Sequence, residues 1–132
     1  MNKAELNAEA VRRGYQAFNE DDLATLADIF DREVTWHTPG QSPYAGTHRG
    51  MEAVFMLFGH YKGETGGTFK VTLKRVFTNE EGHVVSSHHA SAKREDKSLE
   101  VDGCIAFEFR DGRIVSGKEY IFDLYALDAF WQ

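Results

Sequence analysis

The stretch GETGGTFKVTLK, Gly63 to Lys74, is where the chain changes its period. Before it, apolar residues return every third or fourth position. Beyond Gly66-Gly67, Phe69, Val71 and Leu73 alternate with Lys70, Thr72 and Lys74, the spacing of a strand with one face buried. Upstream, Leu6, Ala10, Val11, Gly14, Tyr15, Ala17 and Phe18 trace one helical stripe between Ala4 and Phe18, with Glu5, Glu9, Arg12 and Arg13 on the remaining faces. Asn19 to Asp22 supply cap-type side chains ahead of a short second helix through Leu23, Leu26, Ala27 and Phe30. A third helix follows Gly50, with Val54, Phe55, Phe58 and Tyr61 on one stripe, and Gly63 stops it.

Downstream, Val84 to Arg94, Glu100 to Arg110 and Arg113 to Asp123 read as three more strands, parted by NEEG, EDKS and the Asp111-Gly112 turn. The tail LYALDAFWQ is apolar enough to fold back as a short helical cap. Helices first and an antiparallel meander afterwards predict an α+β domain over residues 1–132, with the helices on one face of a curved sheet. Val34 to His37 forms a brief strand ended by Pro39-Gly40. Residues 39–50 hold both prolines and read as a stiffened rim loop that keeps Tyr44 and His48 near a cavity entrance.

The turn at Asp111-Gly112 leaves two registers open. A two-residue loop pairs Arg110 with Arg113 and places Asp123 on the face of Asp102, Cys104 and Ala106. A three-residue loop pairs Phe109 with Arg113 and places Asp123 with Val101, Ile105 and Phe107. The second is favoured, because it brings Val115 and Ile121 onto the more apolar face, where helices would pack. The other face, with Cys104, Ala106, Tyr120 and Phe122, is still too apolar for open water, which points to a homodimer through the sheet.

The chain has 132 residues, and 21 acidic against 15 basic side chains give a net charge of -6. The basic residues form no stripe able to follow a phosphate backbone, so nucleic acid is not an expected partner. One cysteine, Cys104, makes no internal disulfide, and MNKAELNAEA lacks the apolar run of a signal peptide. The expectation is a cytoplasmic protein, and no apolar segment reaches the roughly 18 residues needed to span a bilayer. Ten phenylalanines suit a generous core and a cavity for apolar ligands.

Three phrases, FNEDDLATLADIF, WHTPGQSPYAGTHRGMEAV and FRDGRIVSGKEYIFDLYALDAFW, resemble the SnoaL-like, polyketide cyclase-like branch of the ketosteroid isomerase/nuclear transport factor 2-like superfamily over essentially the whole chain. The resemblance implies a cone: a strongly bent sheet wrapped on three N-terminal helices around a mostly apolar pocket, often in a homodimer. It implies isomerase, cyclase or dehydratase chemistry without metal or organic cofactor in some members, and binding or assembly alone in others. The proton-moving Asp of the steroid isomerases matches His37, and their oxyanion-hole Tyr matches Gly14, with Tyr15 one step away. The Asp that ends the last strand of related epoxide hydrolases matches Asp123, while His88, His89 and Ser91 occupy the region of those enzymes' Arg-x-Asp pair.

Proton transfer at carbon needs a base with a pKa near ambient pH in a water-poor site, and an imidazole meets the first condition unaided. His37 as base and Asp123 as its partner are therefore the candidate catalytic residues. Trp36 and His37 are strand neighbours, so only one of them faces the pocket, and the same holds for His88 and His89. Tyr15, Trp36, Tyr44, Phe55, Phe58, Ile121 and one of His88 or His89 are the candidate pocket residues. Each also has a plainer reading: His37 as a strand-end hydrogen-bonder, Asp123 as N-cap of the final turn, and Tyr15, Phe55 and Phe58 as core. None of the six histidines shows the i, i+4 spacing or the Cys partners of a zinc site. A cavity below roughly 300 Å³ would favour a structural role over a ligand site.

Overall fold

A computed structural model describes residues 1–132. Asn2 caps helix α1, Lys3–Asn19, by accepting from the Glu5 amide, and Asp22 caps α2, Leu23–Ile29, by accepting from that of Thr25. α1 buries Ala8, Ala10, Val11, Tyr15 and Ala17, while Leu6, expected on that stripe, is exposed. Strand β1, Phe30–Thr38, follows α2 directly and is longer than its β-branched centre suggested. Within the expected rim loop lies a further strand, β2, Gly46–Arg49, which pairs antiparallel with Thr35 to Thr38. Gly50, at φ 90, then leads into α3, Met51–Gly63.

Four long strands follow: β3, Lys70–Thr78; β4, Val84–Arg94; β5, Lys97–Arg110; and β6, Arg113–Ile121. Helix α4, Leu124–Trp131, closes the chain. The strands form one sheet in the order β2-β1-β6-β5-β4-β3, antiparallel throughout except for the β1–β6 pair, which is parallel. That parallel pair departs from the meander expected from the sequence. It arises because β1 is separated from the hairpins by α3 and returns to the free edge of β6. This is an α+β cone of four helices on a six-stranded curved sheet, three helices N-terminal and one at the end. No helix is long and apolar enough to cross a membrane.

The β5–β6 register combines features of both alternatives. Arg110 pairs with Arg113 across a two-residue turn whose residues Asp111 and Gly112 both have positive φ, as a type I′ turn requires. The three-residue loop is thereby corrected. A register shift next to Phe109 then moves the frame, so that Glu108 pairs with Ser116, Phe107 with Gly117 and Ile105 with Glu119. Ile114, not Val115, fills the core near the turn. Beyond the shift, Gly117, Glu119 and Ile121 share the inner face with Gly103, Ile105 and Phe107.

Trp36 sits opposite Gly117 in the β1–β6 ladder and points inward. A Cβ built on Gly117 would lie 2.3 and 2.4 Å from two ring carbons of Trp36, so the indole rests on bare backbone. Phe58 and Phe107 meet the ring edge-on, at 5.2 and 5.9 Å between centroids, and Phe30 stacks on it at 5.9 Å. The aromatic set is thus packed around one fixed ring. Gly117→Ala should lower stability by roughly 1–3 kcal/mol in urea unfolding through overpacking. Gly14→Ala, in α1 with nothing within 4 Å of the added carbon, should be neutral or gain up to about 1 kcal/mol. Equal effects of the two would refute the close seat for Trp36.

Candidate functional site

Between the helices and the concave face lies a cavity, and 19 of the 23 residues around it are hydrophobic. Val11, Gly14, Tyr15 and Phe18 reach it from α1, Phe58 and Tyr61 from α3, and Leu127 and Trp131 from α4. Every strand but β2 contributes, including Trp36, Val71, His88, Val101, Ile105 and Ile121, and Phe69 joins them from just before β3. Its volume is about 90 Å³, below the roughly 300–1,000 Å³ of drug-sized ligand sites. That volume alone favours a structural role. No lysine or arginine borders it.

Polar groups enter the cavity at two places. The first is Glu119, an inward residue of β6. Trp36 donates from Nε1 to Glu119 Oε2 at 2.5 Å, and Thr38 donates from Oγ1 to Oε1 at 3.2 Å. Tyr61 in turn donates to Thr38 at 3.5 Å. Burial raises the Glu119 pKa from 4.5 to about 7, with the Trp36 and Thr38 hydrogen bonds pulling the other way. Every recorded side-chain bond to this carboxyl is one it accepts. Once protonated, it finds no acceptor in Trp36, whose indole N–H only donates, whereas the Thr38 hydroxyl can reverse its bond and accept.

The second place is a chain of Tyr15, Ser86 and His88. The Tyr15 hydroxyl lies 2.6 Å from Ser86 Oγ and 3.3 Å from His88 Nδ1. Burial pushes the His88 pKa down to about 4, so its imidazole is neutral at pH 7. Burial likewise raises the Tyr15 phenol. In the sheet, Ser86 and Glu119 are both paired with Ile105, on its two sides. The two polar groups of the cavity therefore stand on strands about 10 Å apart, two strand spacings.

His37 and Asp123 are not in this arrangement. His37 is exposed on the convex face, its Nδ1 2.9 Å from Thr47 Oγ1. The inward place on β1 is taken by Trp36, because only glycine opposite it leaves room for an indole. Asp123 lies past the end of β6, exposed, and caps α4 by accepting from the Ala126 amide at 3.1 Å. The expectation that this pair faces the pocket is thus corrected, and Glu119 occupies the place that it would have filled.

Of the pocket candidates, Tyr15, Trp36, Phe58, His88 and Ile121 line the cavity. Tyr44, Phe55 and His89 do not. Tyr44 packs edge-on to Trp131 at 4.9 Å and Tyr61 at 5.7 Å, behind the cavity wall. Phe55 leans on Phe30 from outside. His89, one residue from His88, points to the convex face, with Nε2 2.7 Å from Glu100 and Nδ1 2.9 Å from Asp102, and these two carboxylates raise its pKa. No three His, Cys, Asp or Glu side chains converge as metal ligands would.

Sequence reasoning missed Glu119, Thr38, Tyr61 and Ser86. Glu119 carried a readable signal: the register that turned Asp123 inward turns Glu119 inward as well, between Gly117 and Ile121. A carboxyl on the apolar side of a strand is the feature to mark.

Residues 11–117 match the family model described as a SnoaL-like domain. The uncharacterized protein Rv0034 of Mycobacterium tuberculosis is 33% identical over 123 residues, 93% of this chain and 94% of that one. Bal32a, from a soil-derived mobile gene cassette, is 53% identical and superposes with a TM-score of 0.98, over 99% of this chain and 100% of its own. An NTF2-like protein of Burkholderia xenovorans, 24% identical with a TM-score of 0.82 over 98% of each chain, shares the fold. Together with the bent sheet and the helices enclosing its concave face, these matches establish that the chain belongs to the SnoaL-like domain family.

Proposed function

We propose that the protein is an enzyme of general acid/base type, acting as an isomerase, cyclase or dehydratase on a small, largely apolar, uncharged molecule held in the cavity. The observation that carries this reading is Glu119: a carboxyl on an apolar wall, accepting two protein hydrogen bonds, with a pKa of about 7. A group poised there serves as base or acid at neutral pH with little penalty in either direction. In the simplest step, Glu119 takes a proton from carbon next to a carbonyl, and the C–H electron pair moves to the carbonyl oxygen. Reprotonation at another carbon completes an isomerisation, attack on a second carbonyl a ring closure, and loss of a β-hydroxyl a dehydration. No lining ammonium or guanidinium is present to bind an anion, which favours neutral substrates.

A second reading is a binding protein that holds such a molecule without turning it over, while the small volume taken alone favours a structural role. A purely structural role is disfavoured by Glu119 itself, since a cavity meant only to pack would not carry a buried carboxyl. Outward-facing Phe77, Val85, Tyr120 and Phe122, between 39% and 70% exposed, support a homodimer through the convex face. The half-buried free thiol of Cys104 suits a reducing, cytoplasmic setting.

Incubated in deuterated buffer with a panel of small cyclic ketones, the wild type should exchange α-protons faster than buffer does. Glu119→Gln should lose roughly 10²- to 10⁴-fold of that rate, as read by proton NMR. Binding without exchange would favour the binding protein, and exchange untouched by the substitution would remove Glu119 from the chemistry.

Stability provides an independent check. Glu119 has a raised folded pKa, so the stability it permits is fully present below pH 4.5 and is lost as pH rises through 7, by roughly 3 kcal/mol in all. His88 and His89 also titrate in this range, which is why the difference between wild type and Glu119→Gln is the quantity to follow. The variant should gain on the wild type between pH 4.5 and 8 in urea unfolding, and a difference that is flat with pH would contradict the burial of the charge. At micromolar concentration the protein should sediment as a dimer and Tyr120→Glu as a monomer. A wild-type monomer would remove the convex face as an interface.

A further inference from the structure

We propose that His88 is held as the Nε2–H tautomer of a neutral imidazole and offers that N–H, across the cavity from Glu119, to the oxygen of a carbonyl ligand, with Ser86 and Tyr15 as the positioning residues that set the tautomer. This rests on the cavity being the ligand site.

The assignment comes from following each proton to an acceptor. Ser86 is fully buried, and its hydroxyl meets one side-chain partner, Tyr15. Tyr15 in turn meets Ser86 and His88 Nδ1. If Ser86 donates to Tyr15 and Tyr15 donates to Nδ1, both hydroxyl protons are accepted and Nδ1 must be bare. The imidazole hydrogen is then on Nε2. In the reverse direction Nδ1–H donates to Tyr15, Tyr15 donates to Ser86, and the Ser86 proton is left in a dry place with no side-chain acceptor. A buried donor without a partner is disfavoured by roughly ten- to a hundredfold in population. Protonating both nitrogens leads to the same orphaned hydroxyl, and burial opposes the added charge.

Nε2 itself bonds to nothing in the chain. Yet no fully buried side-chain nitrogen or oxygen lacks a partner, so this atom keeps open surface, and the space that His88 borders is the cavity. Gly103, directly opposite His88 in the β4–β5 ladder, adds no side chain beside it. A Cβ there would stand 3.4 Å from His88 Cε1 and 3.0 Å from Ile121 Cδ1. The free N–H therefore opens onto the lumen from a wall kept thin by glycine.

The two polar ends differ in kind: one gives a hydrogen bond and one exchanges a proton. A ligand fitting both turns an oxygen acceptor toward His88 and an acidic C–H toward Glu119, with the rest of its surface hydrocarbon. Free carboxylates and phosphates fail for lack of a counter-charge beside Glu119. Ammonium groups find no acceptor at the His88 end. Neutral aldehydes and ketones about the size of one six-membered ring remain. When Glu119 removes the α-proton, the electron pair arriving on the carbonyl oxygen meets the Nε2–H, a donor that is uncharged at pH 7.

Two measurements on the full chain test this. Two-bond proton–nitrogen correlation spectra at pH 7, with labelled histidine, should show His88 with a bare Nδ1 and a protonated Nε2. Tyr15→Phe should move the Nδ1 resonance toward a tautomer average while the other five histidines stay put. An Nδ1–H tautomer or an imidazolium in the wild type overturns the assignment. Titration with cyclohexanone and with methylenecyclohexane, its near-isostere lacking oxygen, should show roughly tenfold tighter binding of the ketone. His88→Phe should abolish that preference and His88→Gln, which keeps a side-chain N–H, should restore part of it. Equal binding of both probes to the wild type overturns the donor role. Binding of neither overturns the cavity as ligand site and the ligand half of the proposal with it, whatever tautomer the spectra report.

Discussion

One contact governs the interior: the Trp36 indole lying on the bare backbone of Gly117. The two residues are partners in the parallel ladder that joins the first strand to the last. With no side chain on β6 at that point, β1 turns its large aromatic inward, and His37, the next residue, is driven to the convex face. The same seat aims Nε1 two residues along β6, at Glu119. The arrangement thus fixes which strand presents the buried carboxyl, which residue is turned away from the cavity, and how the carboxyl is held.

Glu119 illustrates a balance between opposing electrostatic terms. Hydrogen bonds from Trp36 and Thr38 favour the carboxylate, burial favours the neutral acid, and burial has the larger effect. At the Tyr15–Ser86–His88 group burial acts on a base and works in the opposite direction, stripping charge from the imidazole. One apolar enclosure therefore yields a carboxyl that exchanges protons near neutrality and an imidazole that does not. Surface groups of the same types behave otherwise: His89, between Glu100 and Asp102, has its pKa raised where that of the neighbouring His88 is lowered.

The architecture was largely legible in the sequence, because each long element shows its period over enough residues to be unambiguous. β2 was not: four residues, Gly46 to Arg49, have little pattern of their own and form a strand only because Thr35 to Thr38 offer an edge. Tyr44 and Phe55 illustrate another limit. Aromatic residues at helical or loop spacing are equally suited to the lining of a cavity and to the layer behind it, and tertiary packing put these two in the second place. The site was half legible. Tyr15, Phe58 and Ile121 follow from helical phase and alternation, whereas alternation alone left Trp36 open against His37 and His88 open against His89. The mistaken base came from weighing His37 by its pKa and its place in the resemblance, when the side it faces is set by a glycine 80 positions away. Asp123 was placed by counting from a turn, and the register shift that separates Phe109 from Glu108 kept its parity while the strand ended before reaching it.

The size of the cavity bears on how this family fold is used here. Ile121, Phe69 and Trp131 border the hollow, and Trp131 belongs to a C-terminal helix of eight residues that is joined to β6 through Phe122 and Asp123. Trp131 stacks on Tyr61 and Phe69 at 5.5 and 6.1 Å, and side-chain bonds from Arg94 and Lys97 to the last carbonyls hold the end of α4. These contacts keep the lumen narrow, and burial is the cause of both shifted pKa values. A wider mouth would let water solvate Glu119, return its pKa toward that of an exposed carboxyl, and give His88 a competing hydrogen-bond partner. A small volume and perturbed acid/base groups are thus two consequences of one enclosure.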